Sequence, residues 1–511
     1  MTECLVEAGA LLRGMGTDGR FVIDSDAALL VRDGRIVEIG DAARLKAAHS
    51  ALPRFGGPGM IAMPGMTNSH HHSGVTPLMH GVPFAPLELW LPQFRALRPF
   101  PTKLDTLYSA IEMLESGTTS VQHIHGGVAG APEAWRAEAD AVLGAYGEIG
   151  MRAGFCFMIR DQHILGYGDA AEILAQLPAD EATLLKGQLD AAMIPINELM
   201  GFFHELRATY GGRDDVRINL APANLHWCSD AALEMIFGTA KAHGAQIHMH
   251  LVETERQAND AQARFGHSAI SHLHQLGCLG ENVTFGHGNW NDRADLELLA
   301  AHGCCACHNA SSGLRLASGI APVNPMLGLG IPVALGIDQS NYNDDRDMLA
   351  EIKLVWALHR ETGMFNPRPD AAKVLQMATE NGARTLGFGA LTGRLEPGRA
   401  ADIVLLDRVK VERPYVDRRT PIEETILHRA KSGAVEQVLV GGELVVDAGQ
   451  VTRIDRDGVM SEIGARLAAA PTVAELQARQ MVAALLPVLE ATHRRDTPDT
   501  YRPYRYNRMH D

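Results

Sequence analysis

Residues 216–255 read VRINLAPANLHWCSDAALEMIFGTAKAHGAQIHMHLVETE. A strand-like apolar run, VRINLAPA, is followed by the helical spacing of AALEMIFGTAKAHG and then by a second apolar run, AQIHMHLVE. Alternation of this kind implies parallel strands joined by crossover helices. It continues on both sides: TTSVQHIH, EAWRAEADAVLGAYGEIG and RAGFCFMI come before, and VTFGHGN, ADLELLAAHG, CCACHN and PVALGID come after. Histidines and acids gather at the C-terminal ends of these runs. In a (β/α)8 barrel that end is the rim where each strand presents a side chain to one shared mouth.

Outside this region the pattern changes. The first sixty residues hold short strand-like runs, ALLVRD and RIVEIG, without a long helical period. Near the other end, ADIVLLD and VEQVLVGGELVVDAGQV repeat the style, with Gly-Gly as a hairpin turn. The expected fold class is therefore α/β, a (β/α)8 TIM-like barrel over residues 64–395 with a small β-sandwich built from both ends, 1–63 and 396–456. Residues 457–511 add a helical stretch, TVAELQARQMVAALLPVLEATHRR, and an Arg/Tyr-rich end, DTYRPYRYNRMHD. Apolar residues at helical spacing mark packing, so this extension reads as a strap on the body or an oligomer contact.

A length of 511 residues accommodates a barrel plus an accessory domain. With 46% hydrophobic and 21% charged residues the chain is globular, not disordered or fibrous. A net charge of −15, with no Lys/Arg block before the C-terminal tail, argues against nucleic acid as a partner. The start, MTECLVEAGALLRGMG, lacks a basic segment followed by an apolar core, and no apolar run approaches the ~18 residues that span a bilayer. A cytoplasmic protein with no membrane partner is expected. Seven cysteines, few and odd in number, do not suggest a disulfide framework. Cys304 and Cys307 form one isolated CxxC in a buried-strand pattern and read as packing.

Residues 64–72, PGMTNSHHH, run a tight turn into three histidines. Side chains alternate along a strand, so His70 and His72 share one face and His71 takes the other. Further strand ends offer His250, His287 and Asp338. Two imidazoles from one strand, one from a later strand and a carboxylate from the last would surround one divalent metal and leave a position for water. Nitrogen and oxygen donors without thiolate suit Zn²⁺, or Fe²⁺ in second place.

The ordered set PGMTNSHHH, HMHLVETE, FGHG, HNASSGLRLASGIAP and LGIDQSN, closed by LTGRLEPGRAADIVLLD, resembles the amidohydrolase superfamily. It is most similar to the branch of S-adenosylhomocysteine/methylthioadenosine and guanine deaminases and triazine chlorohydrolases, over about residues 28–450. The resemblance implies that His70, His72, His250 and Asp338 are the metal ligands, with His71 turned away. It matches Glu253 to a proton-shuttling glutamate and His287 to a histidine beside the metal-bound water. The superfamily's two-metal branch uses a bridging carboxylated lysine, and Lys186, in a helical context, does not fit that place. One metal per subunit is implied, and relatives of this kind are often dimers or larger homo-oligomers.

A bound divalent cation brings the pKa of its water from 15.7 toward about 7, making hydroxide available at neutral pH. Asp338 could take the water proton, Glu253 could protonate a ring nitrogen and later the leaving amine, and His287 could stabilise the tetrahedral adduct. The retained Glu253 favours a deaminase releasing ammonia from an aminated N-heterocycle. The alternatives are hydrolysis of a urea, carbamate or amide C–N bond or of a chlorinated triazine, and a non-catalytic binding scaffold, which the retained ligands disfavour. Expected substrate contacts are Trp90 in VPFAPLELWLPQF, His123 and His125 in SVQHIHGG, and Asn224 and His226 in LAPANLHWCSD.

Overall fold

The computed structural model describes residues 3–162 and 165–496; the Arg/Tyr-rich end lies outside the described residues. In chain order the strands are β1 (Glu3–Met15), β2 (Phe21–Arg32), β3 (Arg35–Asp41), β4 (Arg54–Pro64), β5 (Met66–His71), β6 (Thr118–His125), β7 (Arg152–Ile159), β8 (Val216–Ile218), β9 (Ala221–Pro222), β10 (Ile247–Leu251), β11 (Val283–His287), β12 (Cys305–His308), β13 (Val333–Leu335), β14 (Ile403–Asp407), β15 (Val435–Val440), β16 (Glu443–Asp447) and β17 (Gln450–Val451).

Two groups of parallel strands form the centre, in the orders β5-β6-β7-β8 and β10-β11-β12-β13. Parallel bridges link the groups on both flanks, Leu220 to Ile247 and His71 to Asp338. The result is a curled parallel sheet wrapped by helices. Helices such as Pro132–Ile149 and Asp230–His243 bury one apolar face against it and end on left-handed glycines, Gly150 and Gly244. Val121, Phe155, Met249, Phe285 and Val333 are among the buried residues of one continuous core.

The strands from the two chain ends pair in a single eight-stranded sheet, β17-β16-β15-β14-β4-β1-β2-β3, where two stacked sheets are expected. It bends back on itself: Ala401 N donates to Gly34 O at 2.9 Å and Gly442 N to Ala401 O at 3.0 Å, bringing the β2–β3 turn against the far strands. Val6, Leu29, Ile36, Ile403 and Leu439 pack inside the bend. Arg152 at the start of β7 makes a forked ion pair with Asp402, at 2.7 and 3.0 Å, tying this sheet to the central one.

The helix Val473–Asp496 lies along the turn Leu91–Ala96 and the helix Ala179–Ala191, burying Met481, Val482, Leu485 and Leu489 with Leu165 and Leu185. No helix among the described residues is long and apolar enough to cross a membrane.

Candidate active site

At the C-terminal ends of β5, β10 and β13 four donor atoms converge. His72 Nε2 lies 3.1 Å from His70 Nε2, 3.1 Å from His250 Nε2 and 3.4 Å from Asp338 Oδ1, and His70 Nε2 is 3.9 Å from the same oxygen. His72 Nδ1 donates to Ile124 O at 2.9 Å, so its proton is committed there and Nε2 presents a lone pair. His70 Nδ1 meets His248 Nε2 at 2.8 Å, and Ser312 Oγ donates to Asp338 Oδ2 at 2.6 Å, leaving Oδ1 turned inward. Burial first, then the neighbouring imidazoles, hold His70 and His250 well below the ordinary histidine pKa, so both rings are neutral. Lone pairs this close repel one another unless a cation sits between them. The donor set, its spacing and its fixed tautomers fit one divalent metal ion.

Two glycines make this approach feasible. A Cβ on Gly286 of β11 would stand 2.9 Å from His70 Nδ1 and 3.1 Å from His248 Nε2, and one on Gly336 would meet His70 Cβ and Asn309 Oδ1. His287 and Asp338 have φ of 70° and 64°, the left-handed region, which turns each strand end sharply at the site and costs about 1–3 kcal/mol per residue.

His71 faces away, with Nδ1 3.3 Å from the Asp338 carbonyl oxygen. Its register partner on β6 is His123, and the two rings are 5.7 Å apart. Paired residues on adjacent strands share a face, so His123 and His125 also point outward, toward the helix layer. His123 Nδ1 lies 3.0 Å from Tyr146 Oη, and neither histidine lines the cavity. This corrects their reading as substrate contacts: both pack behind the sheet beside Phe155, and His123 alone meets Tyr146, while Ile124 between them faces inward with Cys156 and Ala221.

Glu253 is buried two residues beyond β10, with Oε2 3.7 Å from His287 Nε2. Burial, reinforced by the Asp338 and Glu88 carboxylates, pushes its pKa well above the ordinary glutamate value and favours the protonated acid. Burial brings His287 down to about 4, and Asn309 Nδ2 stands 3.3 Å from each of its ring nitrogens. Gln257 Oε1 accepts from Glu253 N at 2.8 Å and from Asn224 Nδ2 at 3.2 Å, so Asn224 steadies the Glu253 backbone through Gln257.

These groups open on a cavity of about 580 Å³ with mostly apolar walls. His72, Glu253, His287 and Asp338 line it, as do Trp90, Asn224 and His226. Trp90 is 3% exposed and packs edge-on to Phe94; His226 lies against Tyr167 and Trp227. Lys186 does not line this cavity; its side chain is exposed and ion-paired with Asp190. Cys304 and Cys307 are buried free thiols whose pKa values burial raises. Sequence reasoning did not assign His248, Ser312, Asn309 or Gln257. For His248 a signal existed, since HMH places it on the same face of β10 as His250.

The profile of the amidohydrolase family matches residues 61–445, and that of the imidazolonepropionase-like composite domain of bacteria matches residues 27–49. A 5-methylthioadenosine/S-adenosylhomocysteine deaminase of Moorella thermoacetica is 28% identical over 445 residues, 86% of this chain and 94% of its own. A 5′-deoxyadenosine deaminase of Methanosarcina barkeri is 30% identical over 441 residues, 85% of this chain and 91% of its own. A zinc-bound adenosine deaminase structure from Xanthomonas campestris shares the fold at a TM-score of 0.75 and 24% identity, over 94% of this chain and 99% of that one.

Proposed function

The chain belongs to the amidohydrolase family, and from that premise we propose that its cavity deaminates an aminated N-heterocycle by hydrolysis, releasing ammonia. The observation that carries this reading is the buried Glu253 beside His287, at the edge of four convergent metal donors, in surroundings that favour its acid form. Curated relatives named as deaminases support the same reaction class.

In this reading the curled sheet is a (β/α)8 barrel over residues 64–395, residues 1–63 and 396–456 form the composite β domain, and residues 457–511 are an extension. His70, His72, His250 and Asp338 would hold the ion, and the donor set suits zinc. When bound, the ion supplies Lewis acidity and an acidified water. Glu253 gives its proton to a ring nitrogen next to the carbon bearing the amine, making that carbon more electrophilic. Asp338 accepts a proton as water attacks, and His287, steadied by Asn309, stabilises the oxygen of the tetrahedral adduct. The carbon–nitrogen bond breaks, a proton passes to the leaving amine, and the ring keeps an oxo group where the amine was. Trp90 and His226 supply flat surfaces against which the ring can lie.

The test is ammonia release by zinc-loaded protein against aminated purines, pterins, pyrimidines and triazines, with mass detection of the products. Ammonia together with the mass change of an amine-to-oxo replacement is expected. Chloride or a larger amine as the leaving product, with no ammonia from any member, would overturn deamination.

A further inference from the structure

The helix Val473–Asp496 belongs to neither the parallel strands nor the bent sheet, and it lies beyond residue 445, where the match to the family profile ends. It nevertheless reaches the cavity that holds the metal donors: Leu489 and His493 line that cavity together with His72, Glu253 and Asp338. Leu489 continues the apolar face of Met481, Val482 and Leu485 and packs with Leu165, which lines the cavity as well. His493 is half-buried, with its ring 6.3 Å from that of Tyr167 in an edge-on pair, and Tyr167 Oη donates to Glu88 Oε1 at 3.2 Å. The same Glu88 oxygen accepts at 2.6 Å from Thr254 Oγ1, next in the chain to Glu253.

The helix is also fixed against the loop that carries Trp90. Leu89 and Ala96 pack on the apolar face of the helix, while Trp90 and Phe94 line the cavity. Arg98, just after the turn Leu91–Ala96, forks onto Glu475, Nε to Oε1 at 2.7 Å and Nη2 to Oε2 at 3.3 Å, and Nη2 donates to Ala469 O at 2.8 Å. A two-point fork fixes orientation as well as distance. Glu475 Oε2 accepts from Thr472 N at 2.6 Å while Thr472 Oγ1 accepts from Glu475 N at 3.2 Å, a reciprocal cap that sets where the helix starts. Pinned at its first turn and packed along its apolar face, the helix presents Leu489 and His493 to the cavity at a set depth.

We propose that this helix is one wall of the substrate site. Leu489 and His493 meet the part of the substrate that extends away from the metal donors and set how far it reaches, and Arg98 is a positioning residue that acts through Glu475. The substrate in this statement rests on the deaminase reading; the wall rests on the helix.

The experiment anchors a probe on the metal and measures how far it can grow. Straight-chain hydroxamates, from acetohydroxamate to decanohydroxamate, chelate zinc through two oxygens and are titrated calorimetrically into the zinc-loaded full chain. Affinity should rise about fourfold per methylene until the chain meets the helix, and then level or fall. Leu489→Ala should move that break to a longer chain and Leu489→Phe to a shorter one, with zinc content and acetohydroxamate affinity at wild-type levels. Leu476→Ala, on the exposed side of the helix, should leave the series unchanged. Arg98→Met should weaken the longest bound members and spare acetohydroxamate, and Arg98→Lys should recover part of the loss. Hydrogen exchange of the wild-type protein needs no substitution: the member at the break should slow exchange over residues 481–493, and acetohydroxamate should not. A break that stays in place in both Leu489 variants, a series without binding or without length dependence, or exchange over 481–493 indifferent to chain length would overturn the wall. Ammonia assayed on the same preparations separates the two readings. A break that moves with Leu489 in protein that releases no ammonia removes the deaminase and leaves the wall, whereas ammonia without a movable break does the reverse.

Discussion

Replacing His248 by Phe tests whether the metal centre depends on a residue that never touches the ion. His70 is fully buried and its Nδ1 lies 2.8 Å from His248 Nε2. For His70 Nε2 to face the metal, Nδ1 must carry the proton, and His248 is the acceptor that holds it there. Phe keeps a ring of similar size and removes the acceptor. The buried N–H then loses its partner at about 1–3 kcal/mol, or the proton moves to Nε2 and blocks the ligand atom. Either route weakens zinc by about 10- to 100-fold. The assay is competition with a chromophoric chelator at fixed pH, run beside thermal unfolding of the zinc-free protein so that lost packing is seen separately. His248→Gln, whose amide oxygen can accept the same proton, should recover most of the affinity. A Phe variant that folds normally and binds zinc within about twofold of wild type would refute the tautomer reasoning.

Glu253→Gln should keep zinc at the wild-type level and lose about 10²–10⁴-fold in kcat, read from ammonia release and metal analysis together. Asp402→Ala should lower stability by about 3–5 kcal/mol, because Arg152 is left buried without its partner; denaturant unfolding of this variant beside an Arg152→Met, Asp402→Leu double variant checks it, the pair of changes recovering much of the loss. Glu351 is buried, with Oε1 accepting from Ser311 N, and burial raises its pKa from the ordinary 4.5 to about 7. The folded state therefore holds a proton that the unfolded chain has released, so the contribution is complete below pH 4.5 and is lost as pH rises to about 7. At about 1.4 kcal/mol per pH unit that loss is on the order of 3 kcal/mol, and Glu351→Gln should flatten this part of the stability–pH curve.

Elements whose apolar runs are uninterrupted were legible. TTSVQHIH and RAGFCFMI coincide with β6 and β7, and AALEMIFGTAKAHG covers the helix Asp230–His243 from its second residue to its capping Gly244. β4 was not legible, because RFGGPGMIAMP begins as a turn would, with Gly56 and Gly57 at positive φ. It becomes a strand by pairing with β1 on one side and β14 on the other, and β14 lies more than three hundred residues further along the chain. Partners that distant leave no local trace. For the same reason the bending of one sheet over its own core could not be told from two stacked sheets: the alternation of buried and exposed residues is the same in both.

The site shows where spacing stops being informative. SHHH in β5 and QHIH in β6 both present histidines two residues apart, so both sets satisfy the pleat equally well. What separates them is phase, set by register: His71 pairs with His123, which puts His123 and His125 on the outward face and leaves His70 and His72 inside. A shift of one residue in that pairing would bring His123 and His125 onto the face of His70 and His72, and nothing within either four-residue stretch fixes it. The backbone does, through Ile124 O accepting from His72 Nδ1 and Asp338 N donating to His70 O at 2.8 Å, contacts between three strands at once. Ligand identity thus becomes readable only when several strand ends are considered together, and the groups that fix tautomers, His248 and Ser312, lie one layer further from any spacing rule. Their effect on the metal is a property of the assembled mouth, which is why a change at His248 probes the site more sharply than removal of a ligand.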